Sequence, residues 1–311
     1  MIRRPLGATG IDVGQIGLGA WQLGNPAWEM RDTEEALRIV LKSLDSGCNF
    51  FDTAPGYGSG RSEELLGQAL AGRRDQAVLC TKFGHTAEGR ENFSASALRP
   101  ALEFSLTRLR TDHIDVLLLH NPPRDIIDGT TSEVWEELER LKSEGKLRAS
   151  GVSLDSREEL ELVLAHTPST VVEVLFNVFH QDALAAFPRA RAQGVGIIAK
   201  VPLDSGWLSG KYRADSQFAG IRDRWPPAVI ARRAALVEAF VALLPPGLSA
   251  SHAALSYILA QPEISTAIPG AKTVAQALDN FAASHVSRAA ETAAKIHQLW
   301  TENLSRDPLP W

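Results

Sequence analysis

The chain has 311 residues, 44% of them hydrophobic and 22% charged, with a formal net charge of −5. This is ordinary globular composition with length for a large core, and the mildly acidic balance gives no reason to expect nucleic acid or an anionic membrane surface as a partner. The two cysteines, Cys48 and Cys80, supply neither a disulfide framework nor zinc spacing. Met1 to Pro5 leads into a Gly7-Ala8-Thr9-Gly10 turn without an apolar stretch, and no later run approaches a membrane span. A cytoplasmic protein with no signal peptide and no membrane partner is expected.

Residues 1 to 14 read as a short hairpin about that turn, and Ile16-Gly17-Leu18-Gly19 as a strand with Trp21 on the loop beyond it. Asp32 can cap a helix, with Glu35 three positions on, apolar residues at Ala36, Ile39, Val40 and Leu44, and Gly47 as the stop. Phe50-Phe51-Asp52 is a buried strand ending in a carboxylate. A Gly- and Pro-rich turn follows and carries Tyr57, and a helix near 62–71 begins after it. Val78 to Lys82 is a strand ending in a lysine. Residues 96–110 read as a helix with Leu98, Leu102, Ser105, Leu106 and Leu109 on one face. Ile114 to Leu119 is an apolar strand ending in His120. Thr130 and Glu133 are expected to box the start of the next helix, which Gly145 closes.

The alternation continues with a strand over 147–152 ending at Ser153, a helix over 156–165, a strand over 171–176 ending in Asn177 and a helix over 181–193. Val195 to Ala199 is a strand ending in Lys200, followed by a long loop over 201–226. Two helical segments, 228–243 and 250–260, are split by Pro245-Pro246-Gly247. A last strand covers Ile264 to Ile268, and helices near 273–283 and 286–302 close the chain. Strict strand–helix alternation with continuous apolar strands predicts a parallel sheet buried on both faces. Eight such units in about 250 to 310 residues favour a (β/α)8 TIM barrel, here with an N-terminal β-hairpin and additional C-terminal helices. The open doubly wound sheet is the alternative, but its Gly-rich fingerprint is broken at Trp21 and Gln22. No linker-like or low-complexity run divides residues 1–311, which read as one domain.

In a parallel barrel the carboxyl ends of the strands meet at one face. Asp52, Lys82, His120, Ser153 and Lys200 converge there, with Tyr57 on the adjoining loop. A tyrosine of ordinary pKa, about 10, is too weak an acid for fast proton exchange at neutral pH, and a neighbouring ammonium lowers that value. Asp52 can orient Lys82, and His120 can hold an oxygen beside the Tyr57 hydroxyl. Such a set would protonate a carbonyl oxygen as a hydride arrives, or run the reverse. The loops after the seventh and eighth strands contain Pro202, Leu203, Ser205, Gly206, Leu208, Gly210 and Lys211, and then Gly270 and Lys272 at a helix start. Both offer backbone amides and a lysine to phosphate, so an extended dinucleotide could lie across them. Trp207 stands in the first of these loops, where it could stack near the cofactor. Trp21, Trp28 and Trp225, on loops at or near this face, and Asn121, next to His120, are candidates for the substrate-pocket wall. The remaining histidines, including His85, His180 and His285, show no metal spacing, and no metal is expected.

The sequence resembles the aldo-keto reductase family. The resemblance rests on Asp-Thr-Ala-x-x-Tyr-Gly at 52–58, Ser62-Glu63-Glu64-Leu65-Leu66-Gly67, Thr81-Lys82, Leu118-Leu119-His120-Asn121-Pro122 and Gly151-Val152-Ser153. It extends through Pro202-Leu203 to Gly210-Lys211, and to Ile268-Pro269-Gly270 with Asp279-Asn280. It implies an NADP(H) or NAD(H) cofactor and reversible reduction of a small carbonyl compound or oxidation of a sugar or alcohol. Tyr57 is implied as general acid, Lys82 and Asp52 as its tuning pair, and His120 as the residue that orients the carbonyl. Two positions depart from the family pattern: Leu154 stands where Asn often helps to hold the nicotinamide amide, and Glu173 where Gln often does. Ser153, Asn177 and backbone groups are the remaining candidates for that role.

Lys272, at a helix start, is the expected partner of a 2′-phosphate, with Gln276, Asp279 and Asn280 about the adenosine, so NADP(H) is preferred over NAD(H). Two other readings stand beside this one. Lys200 or Lys82 could form a Schiff base in a barrel aldolase, and a barrel that binds a dinucleotide could serve as a regulatory subunit. The sequence carries no signal for an oligomeric state.

Overall fold

Two short strands pair before the barrel begins. In the computed structural model, which describes residues 1–28, 30, 32–220, 223–287 and 289–310, β1 (Arg3–Pro5) and β2 (Asp12–Gly14) form the expected antiparallel hairpin. It caps the amino-terminal end of the barrel interior. Leu6, Ile11 and Val13 pack there against inward-facing strand residues such as Phe50, Val116, Val171 and Ile198.

The barrel chain then runs β3 (Leu18–Gly19), α1 (Thr33–Asp45), β4 (Phe50–Asp52), α2 (Arg61–Ala69), β5 (Val78–Phe83), α3 (Ala95–Leu109) and β6 (Ile114–His120). It continues with α4 (Arg124–Ile127), α5 (Glu133–Ser143), β7 (Leu147–Leu154), α6 (Arg157–His166), β8 (Val171–Leu175), α7 (Phe187–Ala192) and β9 (Gly196–Lys200). The remaining elements are α8 (Pro227–Ala242), α9 (Ala250–Leu259), β10 (Ile264–Ala267), α10 (Val274–Ala282) and α11 (Ala290–Asn303). Strands β3 to β10 are parallel and lie in sequential order. The ends meet through parallel bridges from Ile16 to Ala267 and from Gly19 to Gly270, with Gly17 N–H donating to Ala267 O at 2.8 Å and Gly19 N–H to Pro269 O at 3.1 Å. Only glycine fits at position 19, because a Cβ there would lie 2.7 Å from Ile268 O. A second, larger core lies between the sheet and the helices, and it includes all four leucines of the α3 face that the sequence predicts.

Three local expectations are corrected. α5 starts at Glu133 behind Ser132, without the Thr130 box, because the Thr130 amide donates to Asp128 Oδ1 at 3.0 Å. The helix expected over 181–193 is a 3-10 segment, Asp182–Ala186, followed by α7, since Pro188 has no N–H to continue an α-helical ladder across the junction. The loop over 201–226 contains a 3-10 segment, Asp204–Ser209. Residues 221 and 222 of that loop, and residue 288 of the expected last helix, lie outside the described residues. Among the described residues no helix is long and apolar enough to cross a membrane.

The β7–β8 contact depends on a missing side chain. A Cβ on Gly151 would lie 1.7 Å from the backbone oxygen of Val171, its register partner. Gly151→Ala should therefore force the two strands apart and cost about 1–3 kcal/mol or more. The check is the urea unfolding midpoint, and an unchanged midpoint would show that the strands separate freely.

Candidate active site

β4 and β5 are neighbours; β4 ends in the buried Asp52, and β5 carries the buried Lys82 one residue before its end. Lys82 Nζ donates to Asp52 Oδ1 and Oδ2, both at 2.7 Å, and to Thr53 O at 3.1 Å. Next along β5, Thr81 donates to Glu63 Oε1 at 2.6 Å, and Arg108 holds the other oxygen of that buried carboxylate at 2.6 Å. The Ser62–Gly67 motif thus ties α2 and α3 to the strand that presents Lys82. Tyr57 sits on the β4–α2 loop, fixed by its own N–H to Ala54 O at 3.1 Å and by Ser62 N–H to Tyr57 O at 3.2 Å. Its ring lies 5.3 Å from Lys82 Nζ and 6.1 Å, edge to face, from the ring of His120 at the end of β6. His85 packs behind His120 with ring centroids 5.1 Å apart.

A second arm leaves the same lysine. Glu173 of β8 is 2% exposed, with Oε2 3.5 Å from Lys82 Nζ. Ser153 Oγ donates to Glu173 Oε1 at 2.8 Å and accepts from Lys200 Nζ at 2.9 Å. Lys200 in turn pairs with Asp155 Oδ1 at 2.9 Å and reaches Asn121 Oδ1 at 3.3 Å. Asp52, Cys80 and Glu173 each bring a ligand-type atom within 4.8 Å of the others, but the cation that the two carboxylates hold is Lys82.

The protonation states follow from burial and these neighbours. Burial raises the Tyr57 phenol above its ordinary value; Lys82 pulls the other way, but Asp52 and Glu173 counter it. The expected net lowering by Lys82 is thus reversed, and Tyr57 holds its proton. Burial also works against the Lys82 ammonium, yet Asp52 and Glu173 outweigh it and keep its pKa well above the usual value. Lys82 is therefore a fixed cation, the wrong state for a Schiff-base nucleophile. His120 is held well below the imidazole range by burial and then by Lys82, Lys200 and His85, so its ring is neutral at pH 7.

These groups open into a cleft of about 520 Å³ at the carboxyl ends of the strands. Asp52, Tyr57, His120, Asn121 and Glu173 line it, together with Trp21 and Trp28, whose rings stand 5.2 Å apart. Pro202, Leu203, Ser205, Gly206 and Lys211 form one wall; Gly270, Lys272, Gln276, Asp279 and Asn280 form another. Other expected site residues lie elsewhere. Ser153 is fully buried behind Lys200, and Gly210 is not on the lining. Leu208 is in the core. Trp225 and Trp207 pack with Phe218 in an aromatic cluster beneath the loop, because apolar rings on this long loop gain more from each other than from the polar cleft. The sequence reading omitted Gln22, Asp155 and Ser251 from the lining. The signal for Asp155 was its place just past the end of β7.

At the start of α10, the amides expected to be open are partly taken. Gln276 Oε1 accepts from Lys272 N–H at 2.9 Å, Glu35 Oε1 from Val274 N–H at 3.0 Å and Thr273 Oγ1 from Gln276 N–H at 3.1 Å. The opposite wall is held from below. Val201, Asp204 and Ser205 all have positive φ, and the fully buried Asp204 carboxylate pairs with the equally buried Arg233 of α8. Arg233 also donates to Pro310 O at 2.6 Å, which ties the C-terminal segment to this loop.

A closed parallel barrel with an ionised, enclosed cluster at its carboxyl face places the molecule among the (β/α)8-barrel proteins. A model of the Aldo/keto reductase family matches residues 15–301, and the chain belongs to that family of enzymes. It is similar to L-galactose dehydrogenase of Arabidopsis thaliana, with 32% identity over 90% of this chain and 87% of the relative. Among solved structures it is similar to an aldo-keto reductase from Bacillus halodurans in its holo form, at 28% identity and TM-score 0.82, covering 96% of each chain. A glycerol dehydrogenase from Gluconobacter oxydans gives 26% identity and TM-score 0.82 over 99% of this chain and 97% of that one.

Arg233→Met leaves Asp204 as a buried charge with no guanidinium partner. Loss of about 3–5 kcal/mol in unfolding free energy is expected. Chemical denaturation measures it, and a loss below 1 kcal/mol would mean that water reaches the carboxylate.

Proposed function

We propose that the chain is an NADP(H)-dependent oxidoreductase that reversibly reduces an aldehyde or ketone, or oxidises a sugar or alcohol, with Tyr57 as general acid. The observation that carries this reading is the Lys82 ammonium, bonded to Asp52, 5.3 Å from the Tyr57 ring and buried beneath a cleft walled by two lysine-bearing loops. The cleft's donor set fits a dinucleotide: Lys211 and Lys272 suit phosphates, and the Asn280 and Gln276 amides suit a nucleoside. The reduced dinucleotide, when bound, supplies the hydride. Tyr57 gives its proton to the carbonyl oxygen, and the phenolate left behind is stabilised by the fixed positive charge of Lys82. His120, neutral, donates one hydrogen bond to the same oxygen and orients it. In the oxidising direction the phenolate takes the hydroxyl proton.

A polyhydroxylated substrate suits the rest of the floor. Asn121, Asp155 and Lys200 offer donors and acceptors to hydroxyl groups, and Trp21 and Trp28 offer an apolar wall to a sugar face. Two relatives are described as dehydrogenases of L-galactose and of glycerol. The regulatory-subunit and aldolase readings have no comparable support. The amino-terminal hairpin packed across the end of the barrel interior and the tail bonded to Arg233 support reading residues 1–311 as one domain.

The first test is turnover of aldehydes, ketones and aldoses with NADPH, and of sugars with NADP. Tyr57→Phe removes the proton donor and should lower kcat by about a hundredfold or more, with cofactor affinity nearly unchanged. Wild-type turnover in that variant would refute the assignment.

Cofactor choice is a separate matter. Lys272 lines the cleft at the start of α10 and supports NADP(H), since a 2′-phosphate there meets a cation and a helix amino terminus. One observation favours NAD(H) instead: the Glu35 carboxylate already occupies Val274 N–H at that terminus, although Arg38, 2.6 Å from it, offsets its charge. Lys272→Ala should weaken NADPH binding by about ten- to hundredfold, or about 1.4 to 2.7 kcal/mol, and leave NADH nearly unchanged. Titration of both cofactors decides it, and a wild type that prefers NADH would reverse the assignment.

A further inference from the structure

Glu173 is a charged residue at the cleft floor that the proton-transfer chemistry does not use. Lys82 Nζ makes its short contacts with the two oxygens of Asp52 and with Thr53 O. Glu173 Oε2 is buried, accepts no hydrogen bond, and has Lys82 Nζ only at 3.5 Å. Its other oxygen accepts from the neutral Ser153 hydroxyl. The second ammonium of the floor, Lys200, is paired with Asp155. Two ammonium groups therefore face three carboxylates, and His120 adds no charge.

The two redox forms of a nicotinamide differ by one charge on the ring: oxidised, it is a cation; reduced, it is neutral. Hydride and proton go to the two ends of one carbonyl bond, so the ring must lie beside Tyr57. Tyr57 and Glu173 flank the same Lys82 and line the same cleft. A carboxylate in excess of the ammonium groups acts strongly over such distances in an enclosed, low-dielectric site. We propose that Glu173 makes the cleft floor electronegative and so favours the oxidised, cationic nicotinamide over the reduced form, biasing the enzyme toward oxidation of its substrate. This rests on the dinucleotide reading given above.

The preference has a pH signature. Burial and then Glu173 push the Asp52 carboxyl above its ordinary value, against the pull of Lys82, so its negative charge is completed as the pH rises. The groups facing the pair are Tyr57, Cys80, Lys82, His120 and Lys200. The first two are raised and stay protonated, Lys82 stays charged and His120 stays neutral; the Lys200 charge is paired with Asp155. Raising the pH should therefore tighten binding of the oxidised form and leave the reduced form unchanged.

Dissociation constants of NADP+ and NADPH, measured by calorimetry on the full chain, test the inference. The wild type is expected to bind the oxidised form about tenfold more tightly at pH 8 to 9, which corresponds to about 1.4 kcal/mol. Glu173→Gln should bring the two constants to within about twofold of each other by weakening the oxidised form. Ser153→Ala, which removes the hydrogen bond but keeps the charge, should retain the preference; if it behaves like Glu173→Gln, the role of Glu173 is structural. A wild type that binds NADPH as tightly as NADP+ overturns the inference even where the Gln variant does not fold. Binding of neither NADP nor NAD in either redox form overturns the dinucleotide reading along with it.

Discussion

One buried ammonium organises the site. Lys82 donates to Asp52 and Thr53, lies over the Tyr57 ring and faces Glu173, so four segments of the barrel converge on a single charge. Burying such a group is costly unless it is paired and hydrogen-bonded. Here the desolvation of the lysine and of two carboxylates is offset only while all three stay together. The strand ends can therefore adopt few other arrangements. The same coupling keeps Tyr57 protonated, since the carboxylates that stabilise the lysine also oppose ionisation of the phenol. A stronger effect of Lys82 on the phenol would need one of those carboxylates to lose its charge.

The barrel supplies the convergence through register. His120 pairs with Ser153, and Ser153 with Glu173, so three adjacent strands place these residues in one row across the carboxyl face. Asp52 pairs with Cys80, two residues before Lys82, so the two side chains reach each other along the strand direction. Because side chains alternate along a strand, a one-residue slip in any of these pairings would turn its member of the row out of the cleft. The close approach at Gly151 and the bridges that close β3 onto β10 help to fix the stagger, so the chemistry at one end of the sheet depends on packing along its whole length.

Much of this was legible in the sequence because each strand is a short apolar run that ends in a polar residue. Asp52, Lys82 and His120 stood out for that reason, and strict strand–helix alternation gave the barrel. Glu173 was harder to read. It lies inside an apolar run, Val171–Leu175, where its charge marked a departure from the family pattern without revealing its partner 91 residues earlier in the chain. Trp225 and Trp207 misled for the opposite reason: aromatic residues on a loop read as pocket walls, but this loop folds over its own aromatic core. The capping side chains at α10 were also hidden, since Glu35 comes from the far end of the sequence and no local pattern couples it to Val274.

The wall formed by residues 201–206 shows where the cost of a shaped cleft is placed. Three non-glycine residues of this loop, Val201, Asp204 and Ser205, have positive φ, a conformation that costs on the order of 1–3 kcal/mol each. A branched residue such as Val201 is especially poorly suited to it. The loop would relax into ordinary backbone were it not anchored from beneath. The Arg233–Asp204 pair supplies that anchor, with no exposure on either side chain, and Arg233 is braced by the C-terminal segment. A buried pair of this kind is weak as a source of net stability but exacting in geometry, because each partner tolerates little displacement before it is left uncompensated. A device that fixes position rather than adds stability is what a strained binding wall requires.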